Sequence, residues 1–163
     1  MKVAIFIGSH SDFDIAEEAI NILRGFDVLF ELEVTSAHRS PERTLTLVRA
    51  FEKQGAEVFI AIAGKAAHLA GVVASHTRRP VIGVPVGEAT LNGLDALLST
   101  VQMPKGIPVA CMGIGKSGAA NAALLAIQIL SLKDASLDKE MKEYREKLAA
   151  QVETSSKKVK ENL

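Results

Sequence analysis

Residues 3–12 read VAIFIGSHSD, and this stretch decides the fold. Its first five residues are apolar, which is typical of a strand buried on both faces of a parallel sheet. Gly8 then turns the chain, and Ser11 or Asp12 can cap a helix that we expect to reach about Gly25. The stretch therefore predicts a strand, a polar turn and a helix, the repeating unit of an α/β fold.

The same alternation continues along the whole chain. The further predicted strands cover residues 28–35, 58–63, 80–84 and 107–112, with Pro85 ending the fourth. The predicted helices cover residues 12–25, 41–54, 64–75, 92–101, 115–132 and 136–160. Short connections between alternating strands and helices predict a doubly wound parallel sheet. Five strands favour the flavodoxin-like order 2-1-3-4-5.

The length of the chain fits one domain. We expect residues 1–163 to form a single domain, with a core over 1–132 and a C-terminal helix over 136–160. The 19 Lys and Arg residues balance the 19 Asp and Glu residues, so broad electrostatic binding to nucleic acid or membranes is not expected. Aromatic residues are only 4% of the chain and Trp is absent, which disfavours a base-stacking surface.

Cysteine content and the start of the chain bear on location. The single cysteine, Cys111, excludes an internal disulfide and a multi-thiolate metal site. The chain starts directly in a short apolar strand, too short for a signal peptide or a membrane span. We therefore expect a cytoplasmic protein.

Three predicted strands are followed by polar residues. These stretches are Gly8 to Asp12, Ser36 to Arg39, and Gly64 to His68. In the predicted strand order these strands are neighbours, and ligands bind at the carboxyl edge of such sheets. The sequence therefore predicts one cleft formed by the three loops.

The first loop offers glycine, hydroxyls and the amides of a helix start. That combination suits a phosphate, and Asp12 could accept hydrogen bonds from ribose hydroxyls. The alternative is an ordinary helix cap. The loop matches neither the P-loop pattern nor the dinucleotide-binding glycine pattern.

The second loop contains an imidazole and a guanidinium. His38 could act as a general acid or base near neutral pH, and Arg39 could bind phosphate oxygens with two parallel hydrogen bonds. Ser40 and Pro41 suit the start of the following helix. The alternatives are a structural histidine and a surface arginine.

The third loop contains a cation and a second histidine. Lys65 could attract a carboxylate, and His68 could bond a ligand or simply hold the loop. His10 and His76 are expected to be exposed. Four scattered histidines without ligand spacing do not predict a metal site.

Six motifs along the chain resemble the N5-carboxyaminoimidazole ribonucleotide mutase family of purine biosynthesis. They are GSHSD (8–12), SAHRSP (36–41), AGKAAHLAG (63–71), PVIGVPV (80–86), LNGLDALLSTVQMPKGIPV (91–109) and GKSGAANAALLAIQIL (115–130). The resemblance implies a three-layer αβα sandwich assembled as an octamer, without metal or organic cofactor. The implied reaction moves a carboxyl group from exocyclic N5 to ring carbon C4, by decarboxylation and recarboxylation.

The resemblance also assigns roles to individual residues. His38 matches the catalytic acid/base of the family, and Ser9, Asp12 and Arg39 match positions that bind the ribose phosphate. The same pocket would be lined by Ser36, Ala66, His68 and Leu69. Lys65 is a possible contact for the substrate carboxylate, at a position where the usual loop, GGAAHLPG, has glycine.

Two alternatives differ in chemistry. A related class of enzymes carboxylates aminoimidazole ribonucleotide directly with CO2; it resembles this chain in having a basic residue at the position of Lys65, but usually lacks a match to His68. The other alternative is a non-catalytic flavodoxin-like module that binds a phosphoribosyl ligand.

Overall fold

The structure is a computed structural model that describes residues 2–87 and 91–161. It forms two compact units, the first ending at Ala126 and the second beginning at Ile127. The single-domain organisation expected for residues 1–163 stays a prediction. The strands are β1 (Val3–Ile7), β2 (Phe30–Val34), β3 (Val58–Gly64), β4 (Val81–Val86) and β5 (Ala110–Cys111). The helices are α1 (Phe13–Gly25), α2 (Pro41–Lys53), α3 (Leu69–His76), α4 (Leu94–Val101), α5 (Lys116–Ser131) and α6 (Ala135–Glu161).

The five strands form one parallel sheet in the order β2-β1-β3-β4-β5, as predicted. β1 lies in the middle of the first three, with Val3 opposite Phe30 on one side and Val58 on the other. Helices cover both faces, so the α/β sandwich predicted from the sequence is confirmed. Because all strands run the same way, the loops after β1, β2 and β3 meet at one edge of the sheet.

The central strands are buried because every residue at their middle is apolar. Successive side chains of β1 alternate between the two faces of the sheet. On one face Phe6 packs against Phe51 of α2 and Phe59 of β3, with ring centroids 5.6 Å and 5.8 Å apart. Burial of each such side chain contributes about 1.5–3 kcal/mol, and this packing fixes α2 and α3 against the sheet.

Two of the strands differ from the prediction at a proline. Pro85 does not end the fourth strand; it lies inside β4, opposite Ala63. Its carbonyl accepts a hydrogen bond from Gly115 N, on the side away from β3, so the N–H that proline lacks would face the same side, beyond the end of β5. The fifth strand is shorter than predicted, because Pro108 has no N–H to donate to β4.

The second unit is dominated by α6, which begins one residue earlier and ends one residue later than predicted. Asp134 caps it, since its carboxylate accepts hydrogen bonds from the backbone N–H of Ser136 and Leu137 at 3.0 Å and 3.3 Å. Lys139 and Glu143 form an i,i+4 ion pair on its exposed surface. Of the helices that the structure describes, none is both long and apolar enough to cross a membrane.

Candidate active site

A cavity of about 650 Å³ opens at the carboxyl ends of β1, β2 and β3. Its lining includes every residue that the sequence singled out for the site: Ser9, Asp12, Ser36, His38, Arg39, Lys65, Ala66, His68 and Leu69. The remaining lining residues are Gly8, Ser11, Ala37, Ala63, Gly64 and Val86. The predicted convergence of three loops on one cleft is what the fold produces.

The loop after β1 supplies hydroxyls and a carboxylate. Ser9 Oγ accepts a hydrogen bond from Ser11 N at 3.4 Å and so caps a single 3₁₀ turn before α1. Asp12 occupies the N-cap position of α1, but its side chain makes no capping hydrogen bond, contrary to expectation. It is only 6% exposed, and Ser11 Oγ donates to its Oδ1 at 3.4 Å. The loop thus places a nearly buried carboxylate at the cavity wall.

The loop after β2 is closed by a side chain that the sequence assigned to helix capping. Ser40 precedes Pro41 at the start of α2, as predicted, yet its hydroxyl does not cap the helix. It accepts a hydrogen bond from Ser36 N at 3.1 Å and donates one to Ser36 O at 3.2 Å. Beneath this loop, Thr35 and Thr44 join β2 to α2 through buried hydroxyls 2.8 Å apart. The closed loop presents His38 and Arg39 outward.

Arg39 connects the first two loops. Its backbone N–H donates to Ser36 Oγ at 3.2 Å, and its Nη2 donates to the carbonyl oxygen of Gly8 at 3.2 Å. A guanidinium has five N–H donors, so these contacts orient the group and leave others for a ligand. The arginine is exposed at the cavity and held in place at the same time.

His38 and His68 form a direct hydrogen bond across the cavity. His38 Nε2 lies 2.7 Å from His68 Nδ1, and the two rings meet edge to face with centroids 4.9 Å apart. One nitrogen of the pair must carry the proton and the other accept it. The contact fixes the orientation of His38 while both rings stay exposed. As expected, His10 and His76 are exposed, and neither is in the cavity lining that the structure describes.

The loop after β3 makes a sharp turn at Lys65. Its φ of +57° lies in the left-handed region, which side chains other than glycine, asparagine and aspartate rarely adopt. The turn exposes Lys65 and His68 at the cavity while Ala67 is buried. Leu69 is buried at the start of α3. The turn therefore places the ammonium of Lys65 at the cavity, at a cost in backbone conformational energy.

The charges around the cavity are mixed. In the described part of the chain, Arg39 and Lys65 are its only Lys or Arg side chains, and Asp12 is its only carboxylate. Such a set suits a ligand with anionic groups and hydroxyls. Among residues 2–87 and 91–161, no three His, Cys, Asp or Glu side chains are grouped as around a metal ion.

Val86 was not anticipated as a cavity residue. It ends β4, at the same edge of the sheet as the three loops. Because the strand was predicted to end at residue 84, Val86 was not placed at the edge of the sheet. A strand continued through Pro85 would have pointed to Val86.

Comparison with known proteins gives consistent matches over most of the chain. Residues 2–151 match the model of a family described as AIR carboxylase. A protein of Methanocaldococcus jannaschii named N5-carboxyaminoimidazole ribonucleotide mutase is 57% identical over 98% of this chain and 98% of its own length. The protein of the same name from Bacillus subtilis is 48% identical over 94% of this chain and 95% of its own length.

A solved structure is similar over the same extent. The crystal structure of Treponema denticola PurE aligns with a TM-score of 0.87 at 30% sequence identity, covering 96% of each chain. The similarity thus covers the sheet and all three loops around the cavity.

Proposed function

The chain belongs to the AIR carboxylase family, and on this premise we propose that it is an isomerase that catalyses the N5-carboxyaminoimidazole ribonucleotide mutase reaction. The substrate is a small ribonucleotide of purine biosynthesis, and the product is 4-carboxyaminoimidazole ribonucleotide. The observation that carries the proposal is the hydrogen-bonded His38–His68 pair in one cavity with Arg39. The name shared by the relatives supports the choice of reaction.

The ribose phosphate end binds at the loops after β1 and β2. Arg39, already oriented by Gly8 and Ser36, donates to phosphate oxygens. Ser9 supplies a hydroxyl, and the carboxylate of Asp12 accepts hydrogen bonds from the ribose hydroxyls. Anchoring at this end holds the imidazole ring beside His38, which is the positioning that an intramolecular transfer needs.

His38 moves the protons of the reaction. When the bond between N5 and the carboxyl carbon breaks, its electron pair stays on nitrogen, which takes a proton from His38. The released CO2 is then attacked by C4 to form the new carbon–carbon bond. His38, having given up that proton, takes the proton that leaves C4 and so regains its starting state. The hydrogen bond to His68 holds the ring orientation through both transfers.

The cavity wall limits the escape of CO2. Ala37, Ala66, Leu69 and Val86 give an apolar lining beside the polar groups. Apolar walls exclude water from the ring, so that CO2 held in the cavity reacts with C4 before it escapes to solvent. The proposed mechanism asks for no metal or organic cofactor, since every step is a proton transfer or a carboxyl transfer.

We further propose a homo-octamer located in the cytoplasm. The octamer is supported by the resemblance of the motifs to a family that forms octamers. The cytoplasmic location is supported by the biosynthetic reaction and by a single cysteine, which forms no internal disulfide.

Substitution of His38 tests the role of the site. We expect His38→Asn to lower kcat by at least about 100-fold, since general acid–base catalysis contributes 10²–10⁴-fold, while ligand affinity measured by calorimetry changes little. The matched control is His76→Asn, a change at an exposed histidine at the end of α3, which should leave kcat unaltered. Full turnover by His38→Asn would remove His38 from the mechanism.

A further inference from the structure

Lys65 combines two features that the proposed reaction has not yet used. It lines the cavity, and its backbone adopts the left-handed conformation, with φ +57°. Within residues 2–87 and 91–161, its ammonium has no hydrogen-bond acceptor or carboxylate as a partner. The chain therefore keeps a long cationic side chain at a position where glycine would be conformationally easier.

The other cation of the cavity differs from Lys65. Arg39 is held by Gly8 and Ser36 at the loops after β1 and β2. Lys65 extends from the loop after β3, and its ammonium is a compact charge on a flexible four-carbon stem. Arg39 is thus preorganised for a fixed anion, whereas Lys65 can follow an anion that moves.

The substrate of the proposed reaction carries two anionic groups, a phosphate that stays in place and a carboxylate that migrates. With Arg39 assigned to the phosphate, we propose that Lys65 binds the migrating carboxyl group and retains CO2 between the two half-reactions. This inference rests on the proposed function and adds a residue that determines specificity for the carboxylated substrate.

In this proposal Lys65 contacts the migrating carboxyl group at each stage of the transfer. The ammonium pairs first with the carboxylate on N5 and finally with the carboxylate on C4. Between these states it attracts an oxygen of CO2, which carries partial negative charge. No covalent bond to Lys65 forms or breaks, and the proton balance remains with His38.

Two properties separate this role from that of an ordinary surface lysine. If Lys65 were an ordinary surface lysine at a left-handed position, its replacement by glycine would relieve backbone strain and would leave the function unchanged. A lysine that binds the carboxyl group would be needed for affinity toward the carboxylated ribonucleotide and for retention of its carbon. It would not be needed for affinity toward the uncarboxylated ribonucleotide.

The test follows the carboxyl carbon. The N5-carboxylated ribonucleotide, labelled with ¹³C at its carboxyl group, is converted in unlabelled bicarbonate, and the label retained in the product is measured by mass spectrometry. We expect the wild type to retain most of the label. Lys65→Met should release a large part of it to solvent and raise KM by about tenfold or more, since hydrogen bonds to charged groups are strong.

Three further measurements control for structural effects. Lys105→Met, at an exposed lysine outside the described cavity lining, should behave as the wild type. Lys65→Gly should be at least as stable to urea as the wild type and should lose label as Lys65→Met does. Affinity of all variants for uncarboxylated aminoimidazole ribonucleotide should stay within about twofold, because its phosphate contacts are intact.

The outcomes separate the two proposals. If the wild type turns over the substrate and Lys65→Met matches it in label retention and KM, the role of Lys65 is overturned and the proposed function stands. A wild type that does not turn over the N5-carboxylated ribonucleotide overturns the proposed function and this inference with it. Loss of label in Lys65→Met with unchanged affinity for the uncarboxylated ribonucleotide supports both.

Discussion

His38 Nε2 and His68 Nδ1 lie 2.7 Å apart, although 30 positions separate the two residues in the chain. The sequence predicted that both loops reach one cleft, because parallel strands end at a common edge. It could not predict the hydrogen bond, which depends on the direction of two side chains on separate loops. The pairing of these rings is therefore information that only the three-dimensional structure supplies.

At Lys65 the sequence indicated only part of what the structure shows. A basic residue next to a strand end was recognisable as a possible ligand contact, and it replaces the glycine of the usual loop. Glycine at a turn often reflects a positive φ, and the structure gives Lys65 a φ of +57°. The glycine of the usual loop was thus an indication of this backbone conformation. Nothing in the sequence indicated that the ammonium would have no protein partner within the residues described.

The thiol of Cys111 gives a prediction about pH. Partial burial raises the pKa of Cys111 above its usual range, since desolvation disfavours the thiolate. The side chain is half-buried. Because the thiolate is the reactive form, alkylation by iodoacetamide at pH 8 should be slower in the native protein than in the urea-unfolded chain.

The sign of the effect can be checked across pH. The rate for native Cys111 should keep rising at a pH where the rate for the unfolded chain has levelled off, because the raised pKa moves thiolate formation upward. Equal native and unfolded rates from pH 7 to 10 would contradict the assignment.

The junction of β2 and α2 is the element that holds the loop of His38, the proposed acid/base. Its position was predictable, because a strand-like run is followed by a proline suited to the first helical turn. The role of Ser40 was not, since the same hydroxyl can cap a helix or close the preceding loop. The structure shows loop closure onto Ser36, and that contact depends on the exact path of the chain between them.

The buried hydroxyl pair of this junction gives a stability prediction. Thr44 Oγ1 also lies 3.2 Å from the carbonyl oxygen of Ser40, to which it donates, so Thr35 is the donor to Thr44. Thr44→Val leaves the buried hydroxyl of Thr35 without this partner and should lower the free energy of unfolding by about 1–3 kcal/mol. Urea unfolding monitored by circular dichroism measures the change.

The matched control is the other member of the pair. Thr35→Val removes the donor, while Thr44 keeps its bond to Ser40, so the loss should be smaller. The double substitution should cost less than the sum of the two single ones, since the pair is removed together. A Thr35→Val variant less stable than Thr44→Val would refute this donor assignment.

At the scale of the whole molecule, the alternation of strands and helices predicted a parallel sheet, and the number of strands favoured the order that the structure shows. Strands buried on both faces must be apolar throughout, and the polar residues then mark where each strand ends. Some boundaries were wrong: the helix predicted to begin at residue 64 begins at Leu69, and β4 and β5 differ at Pro85 and Pro108, where the direction of the missing N–H matters. That direction follows from the register of the sheet and cannot be read from local sequence.

The proposed octamer is a property of the whole molecule that light scattering can measure. At micromolar concentration we expect a particle with about eight times the mass of one chain. A monomeric mass under the same conditions would refute the octamer. Addition of ligand should not change the mass, because the proposed assembly forms without substrate.

The central claim is that the cavity at the ends of β1, β2 and β3 moves a carboxyl group within one ribonucleotide. The most direct measurement offers the purified protein N5-carboxyaminoimidazole ribonucleotide and, separately, aminoimidazole ribonucleotide with bicarbonate at physiological CO2, and compares the initial rates of formation of 4-carboxyaminoimidazole ribonucleotide. A mutase converts the N5-carboxylated substrate faster. Faster turnover of the uncarboxylated substrate would contradict the mutase assignment and identify a direct carboxylase instead.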